Sequence, residues 1–251
     1  MNKIFLVLII SLAAFLRFNQ LNYLPVLNAD EASIGYNAYS LILTGKDEHG
    51  HPWPISFQSF NDYKPGLFFY LVLPFVWLFG LNEWAVRIPG ATLGLLTVLF
   101  VYFLVLELFP RVLPLASPKA IPPANKHGAP SLGLPGLRHP FALITALFLA
   151  ISPWHIHFSR GAWEVNAATF FIVLGIWAFL RWMNVKASKW FFVSIFAFVA
   201  SLYTYHAARI IIPLLGVGIL LASYSHVLLS ASVRLRSLQA LRASKNIRIV
   251  I

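Results

Sequence analysis

Between Ile88 and Leu106 the chain carries no charged residue. A run of that length matches the roughly 20 apolar residues with which an α-helix crosses a bilayer. It constrains the fold more than any other feature, and it is not alone. Ile4–Phe18 is apolar apart from Ser11 and Arg17, and Leu67–Gly80 is apolar but short. Phe141–Phe158, Val165–Trp182, Trp190–Tyr203 and Ile210–Leu229 complete a set of seven candidate spans. Composition agrees. Hydrophobic residues make up 59% and charged residues 11%, against about 45–50% and about 25% in soluble domains. So little charge cannot wet a globular surface, and so much apolar content excludes disorder. The net charge of +11 comes from basic residues scattered between apolar runs, which argues against a nucleic-acid partner. There is no cysteine, hence no disulfide framework, thiolate metal site or cysteine nucleophile. The expected class is an all-α polytopic membrane protein.

Ile4–Phe18 has an alternative reading as a cleaved signal peptide, with Lys3 before a short apolar core and Ala13-Ala14 after it. The small-residue pattern before a cut is poor, and Arg17 and Gln20 continue the helix, so a retained first span is the better reading. Basic residues set the orientation. With all seven segments crossing and the N-terminus inside, the Pro/Gly-rich connector 110–140 would put Arg111, Lys119, Lys126 and Arg138 outside. If Leu67–Gly80 lies along the surface or dips in without crossing, 13 basic residues fall inside and 6 outside. The six-span arrangement is therefore preferred. It gathers three polar stretches, Asn22–Arg87, His155–Asn166 and Tyr203–Arg209, on the non-cytoplasmic side. The chain then divides into a first span (1–22), an extracytoplasmic loop (23–87), a bundle (88–229) and a basic tail (230–251).

The polar stretches carry the chemistry. Asn28-Ala29-Asp30-Glu31 precedes a helix expected over Glu31–Leu43, ending at Thr44-Gly45. Asn28 or Asp30 suits its N-cap and Glu31 its first turn. Tyr36 and Tyr39 suit an amphipathic helix at the headgroup level. One acid suffices for capping; a second, at the membrane surface, is available as a general base. Thr44–Gly50 reads as a solvated turn. Lys64, within Asn61–Gly66, either snorkels or meets a phosphate. Arg87 stands in the first turn of a span, the wrong sign for that end of a helix dipole, so it invites an acid or a phosphate as partner. Ser152–Glu164 is expected to be a tight hairpin. In it His155 and His157 are too far apart around a helix for a two-His metal site, while Arg160 and Glu164, four residues apart, can pair on one helix face. Tyr203–Arg209 brings His206 and Arg209 as an aromatic, basic hairpin, either an interfacial belt or a contact to lipid phosphate.

Taken in order, these stretches resemble the N-terminal half of GT-C class lipid-linked sugar transferases. The resemblance is to the protein O-mannosyltransferase and aminoarabinose-lipid-A transferase superfamily. It rests on Asp30-Glu31 after the first span, Tyr36–Gly45, Tyr63-Lys64-Pro65, Arg87-Ile88-Pro89 and Ser152-Pro153…Ser159-Arg160…Glu164, and covers roughly residues 1–210. It implies a GT-C-like bundle of 6–7 spans with an interfacial helix in the first extracytoplasmic loop. It also implies inverting transfer from a polyprenyl-phosphate sugar to a lipid, glycan or protein acceptor. Asp30 would be the base, assisted by Glu31. Lys64, Arg87, Arg160 and Arg209 would clamp the phosphate, and Glu31 and Glu164 would orient those cations or bind acceptor. His155 and His206 are added as substrate-binding candidates. No cofactor is required by the residues, and a need for divalent metal is left open. Members of that superfamily are longer, so a fragment or degenerate copy is expected, with the tail as the truncation point. Two other classes compete. A transporter would place ionisable groups at mid-bilayer, whereas here they lie at the ends of the spans. A non-catalytic scaffold would tolerate any residue at position 30.

Overall fold

The first helix of the computed structural model, α1 (Asn2–Phe18), turns much of its apolar surface outward: Ile4, Val7, Leu8 and Phe15 are each more than half exposed. Its inward contacts are small. Ala13 shares one cluster with Ala142, Ala146 and Ala150 and with Val98 and Tyr102. Large residues outside and alanines inside is the pattern of helices that pack in lipid, where close backbone approach replaces the hydrophobic effect as the source of cohesion. The structure describes residues 2–23, 26–59, 62–112, 137–218 and 221. Most of the expected 110–140 connector, the end of the seventh candidate span and the basic tail fall outside them.

The described residues are 79% helical, which leaves little besides helices to form a core. After α1 come a 3-10 turn (Leu21–Tyr23), α2 (Ala29–Thr44), strands β1 (Ser56–Ser59) and β2 (Asp62–Pro65), α3 (Leu67–Phe79) and α4 (Glu83–Val112). Then follow α5 (Arg138–Ile151), α6 (Pro153–Arg160), α7 (Glu164–Val185) and α8 (Ser188–Leu202). α4 is the hub: α1, α3, α5, α6 and α7 all pack on it, and α8 packs on α7. These elements form one compact unit, residues 1–208, and a second unit begins at Arg209 with the helix Ala208–Gly218.

Among the described residues three helices are long and apolar enough to cross a membrane, those over Asn2–Tyr23, Glu83–Leu108 and Glu164–Val185. The expected span Phe141–Phe158 is not straight. Ser152 ends α5 and caps α6, its Oγ accepting from His155 N–H, and the two helices meet at 59°. Taken as one bent span, the pair makes a fourth. Leu67–Gly80 and Trp190–Tyr203 correspond to α3 and α8, helices of 13 and 15 residues. At 1.5 Å per residue these reach about 20–22 Å, short of the roughly 30 Å hydrocarbon core.

A β-hairpin was not expected in an all-α chain. β1 and β2 pair antiparallel with Phe57 opposite Lys64. The hairpin is pinned by Phe57, which is fully buried and stacked on Phe69 of α3 with ring centroids 4.1 Å apart. That anchor fixes where Lys64 stands.

α4 approaches the α6–α7 junction very closely at Gly90. The Gly161 carbonyl lies where a Gly90 side chain would be, and Asn166 Nδ2 donates to the Gly90 carbonyl at 2.8 Å. Gly90→Ala is expected to force these backbones apart and destabilise the protein by about 1–3 kcal/mol, as overpacking does. Thermal unfolding of the detergent-solubilised protein measures this, and an unchanged midpoint would show that the contact is loose.

Candidate functional site

α2 begins with a reciprocal cap. Asn28 Oδ1 accepts from Glu31 N–H at 2.8 Å, and Glu31 Oε2 accepts from Asn28 N–H at 3.1 Å. Both ends of the helix follow from local chemistry, since Gly45 closes it in the left-handed region at φ 69°, where glycine carries no Cβ penalty. The cap places Asp30 and Glu31 about 100° apart around the helix, and their environments diverge accordingly.

Glu31 turns inward and is nearly fully buried. Oε1 accepts from Arg87 Nε at 2.9 Å and from Ala162 N–H at 3.1 Å, and Oε2 accepts from Arg87 Nη2 at 3.0 Å as well as from Asn28. Burial pushes its carboxyl up. The Arg87 hydrogen bonds and the two backbone N–H groups more than offset that, so the group is held below the usual carboxylate range. The partner that Arg87 calls for is thus an acid, 56 residues away. Arg87 also donates to the Leu21 carbonyl. Glu31 acts as the fixed counter-charge of Arg87, tying α2, α4 and the α6–α7 junction together.

Asp30 turns the other way and stays partly open. Lys64 Nζ donates to Asp30 Oδ1 at 2.5 Å and stands 3.7 Å from Glu164 Oε1. Glu164 opens α7, where a carboxylate suits the helix dipole. It is buried, and its Oε1 makes no hydrogen bond among the described residues. Arg160 and Glu164 do not pair as expected from their spacing. Gly161–Trp163 separates α6 from α7, so the two residues belong to different helices. Arg160 instead caps the open end of α1, donating to the carbonyls of Leu16, Asn19 and Gln20 at 2.9, 2.8 and 3.3 Å. Ser152–Glu164 is accordingly a short helix with two bends, not a tight hairpin.

Two cavities adjoin these groups. The first, about 290 Å³, is lined by Asn28, Glu31, Arg87, His157, Arg160 and Trp163, among others. The second, about 270 Å³, is lined by Asp30, Asp62, Lys64, Glu164 and His206 and shares Trp163 with the first. Their charges differ. In the first, Glu31 cancels Arg87 and Arg160 is left with carbonyl partners only, so the balance is positive. In the second, three acids face one lysine, so the balance is negative. The four cations expected to act as one clamp are therefore not equivalent. Lys64 and Arg87 are matched by acids, Arg160 is not, and Arg209 belongs to the second unit.

His206 lines the second cavity, its Nε2–H donating to the Tyr63 carbonyl at 2.9 Å. His155 lines neither cavity. Its Nδ1 lies 2.8 Å from Arg17 Nη2, and Arg17, fully buried, also donates to the Ala13, Ala150 and Leu149 carbonyls. Arg17 thus caps the end of α5 at its bend. From the sequence Arg17 reads only as continuing the first helix and His157 only as a rejected metal ligand, while Asp62 and Trp163 have no role. A cation next to the end of a span carries a signal for capping; the lining roles of the other three depend on distant contacts. The turn after α2 is held by Asp47, which accepts from the N–H groups of His49 and His51 and contacts the His51 ring. Among the described residues no group of three or more His, Asp or Glu is placed to hold a metal ion. The chain matches no family model, no curated protein and no solved structure.

Proposed function

We propose that this chain is a membrane glycosyltransferase, or the N-terminal part of one. It would move a sugar from a polyprenyl-phosphate donor to a hydroxyl acceptor on the non-cytoplasmic side. The observation that carries this reading is the pair of adjoining cavities of opposite charge, with the partly open carboxylate of Asp30 in the acidic one. The positive cavity suits the donor phosphate, with Arg160 and His157 facing it. The acidic cavity suits a neutral, hydroxyl-bearing acceptor.

In the step, the acceptor oxygen attacks the anomeric carbon. The new C–O bond forms as the bond from that carbon to the phosphate oxygen breaks, with inversion. The proton passes to Asp30, and the polyprenyl phosphate leaves with the bonding electron pair. Lys64 holds Asp30 in place beforehand through their hydrogen bond. When Asp30 becomes neutral, Glu164 at 3.7 Å gives Lys64 a second partner, so the lysine charge is never left unopposed. Preorganised charge of this kind needs no rearrangement during reaction. Arg87 frames the donor cavity through Glu31 and does not neutralise phosphate itself.

The membrane arrangement belongs to the same proposal. In the six-span arrangement the three long helices and the bent α5–α6 pair cross, and the expected spans Trp190–Tyr203 and Ile210–Leu229 complete the set, with the bilayer locally thinned around α8. α3, at 13 residues with Pro74 inside it, fits a segment that dips without crossing. α2, whose Tyr36 and Tyr39 are exposed, fits the interface. The excess of basic residues, 13 against 6, then faces the cytoplasm.

The proposal is tested by donor binding. Arg160→Gln is expected to weaken binding of a polyprenyl-phosphate sugar by about tenfold or more, the worth of a charge-assisted hydrogen bond. Asp30→Asn is expected to leave binding within about twofold, the range of a small surface effect. Size-exclusion profiles check that both variants remain folded. Wild-type protein that binds no donor would contradict the assignment and favour a scaffold.

A further inference from the structure

A cavity larger than these two lies away from this site. It measures about 610 Å³ and is lined by Asn2, Lys3 and Leu6 of α1, Tyr102, Phe103 and Leu106 of α4, and His139 of α5. α1 separates it from the Asp30 end, since 16 residue steps at 1.5 Å place Asn2 about 24 Å from Phe18. It therefore lies at the opposite end of the bundle and shares no residue with the donor and acceptor cavities.

Its chemistry divides in two. One part is cationic and polar. Lys3 lines it, and Tyr102 Oη and His139 Nδ1 hydrogen-bond at 2.9 Å in its wall. Arg138 does not itself line the cavity, but it precedes His139 in sequence and is within electrostatic reach of Tyr102, both of which do, and its buried Nε has no hydrogen-bond partner among the described residues. No acid lines the cavity. The nearest acid in sequence, Glu107, is already matched by Arg181 and Asn184. The other part is apolar: Leu6, Phe103 and Leu106.

We infer that this cavity binds an anionic phospholipid, with the headgroup phosphate between Lys3 and Arg138 and an acyl chain along Leu6, Phe103 and Leu106. Basic pockets between membrane helices select anionic headgroups in this way, and no acid here opposes the charge. Arg138 gains the acceptor that its Nε lacks. The lipid bridges the starts of α1 and α5, two helices whose direct contacts are mostly alanine.

The test is competitive lipid retention by the purified full chain, read by native mass spectrometry in an equal mixture of phosphatidylglycerol and phosphatidylcholine. Wild type is expected to retain phosphatidylglycerol by roughly tenfold or more, from two cations near one phosphate. Lys3→Gln with Arg138→Gln is expected to reduce that preference to near parity. Lys186→Gln with Lys189→Gln removes the same charge at the same end, away from the cavity, and is expected to leave the preference intact. Leu6→Trp fills the apolar part and is expected to lower retention with both cations present. No preference in wild type, or equal loss in the two double variants, would overturn the inference. Displacement of the lipid by millimolar inorganic phosphate would assign the cavity to the free anion instead, and its failure to displace supports the lipid.

Discussion

Glu31→Gln should destabilise the protein by roughly 3–5 kcal/mol, the cost of leaving a buried charge without its partner. Glutamine keeps the shape of the side chain, but its single amide oxygen can accept from only one of Asn28 and Ala162, whose N–H groups bond different oxygens of Glu31. It cannot balance the charge of Arg87, which is almost fully buried. Because Glu31 also links α2 to the α6–α7 junction, the loss should appear as separation of α2 from the other helices, measurable by thermal unfolding and by protease sensitivity of α2. Glu31→Leu combined with Arg87→Met should recover much of the loss, since paired apolar replacements often match a buried ion pair. Acid should act on the same contact. The Glu31 carboxyl is held below its usual range in the folded state. Its stabilising contribution is thus complete above the unfolded value, about 4.3, and disappears as pH falls through the lower folded value. Below about pH 4, wild type should lose stability more steeply than the Leu/Met double variant. A double variant as unstable as Glu31→Gln would mean that Glu31 acts through packing and not charge.

Asp30→Asn should reduce sugar transfer by about 10²–10⁴-fold, the range for removing a positioned general base, with little change in stability. The contrast with Glu31 follows from exposure and partners. Asp30 is partly open, and its one side-chain partner, Lys64, retains Glu164 nearby. Lys64→Met should also lower turnover, because Asp30 loses the hydrogen bond that fixes its position. Turnover equal to wild type would show that Lys64 only supports the loop.

How much of this could be read from residues alone depended on range. The long apolar helices were legible because their signal is local and repeated. The start of α2 was legible because Asn28 and Glu31 form a capping pair three residues apart. The bend before α6 had a local signal too: Ser152-Pro153 is a serine cap followed by proline at the first helical position. It was read as a hairpin because two polar residues between apolar runs look the same whether the chain turns back or bends. The β-hairpin was hidden because four-residue strands offer no run of alternation, and only Phe57 inserting against Phe69 holds it. The candidate site was legible in its residue types and not in its pairings. Glu31 and Arg87 lie 56 residues apart, and Ala162 is 131 residues from Glu31. Arg160 and Glu164 obey helical spacing, yet the helix ends between them. The division of four cations into two matched by acids, one with carbonyl partners and one in a separate unit follows only from the folded arrangement.

The central claim is that Asp30 serves as a base beside a bound lipid-phosphate sugar. The most direct measurement is transfer or release of a labelled sugar from a polyprenyl-phosphate donor, by membranes containing this chain and by membranes containing Asp30→Asn at equal abundance. Turnover by the native chain, with at least a hundredfold loss in the variant, is the predicted result. Equal turnover by the two, or no turnover and no donor binding by either, would contradict it.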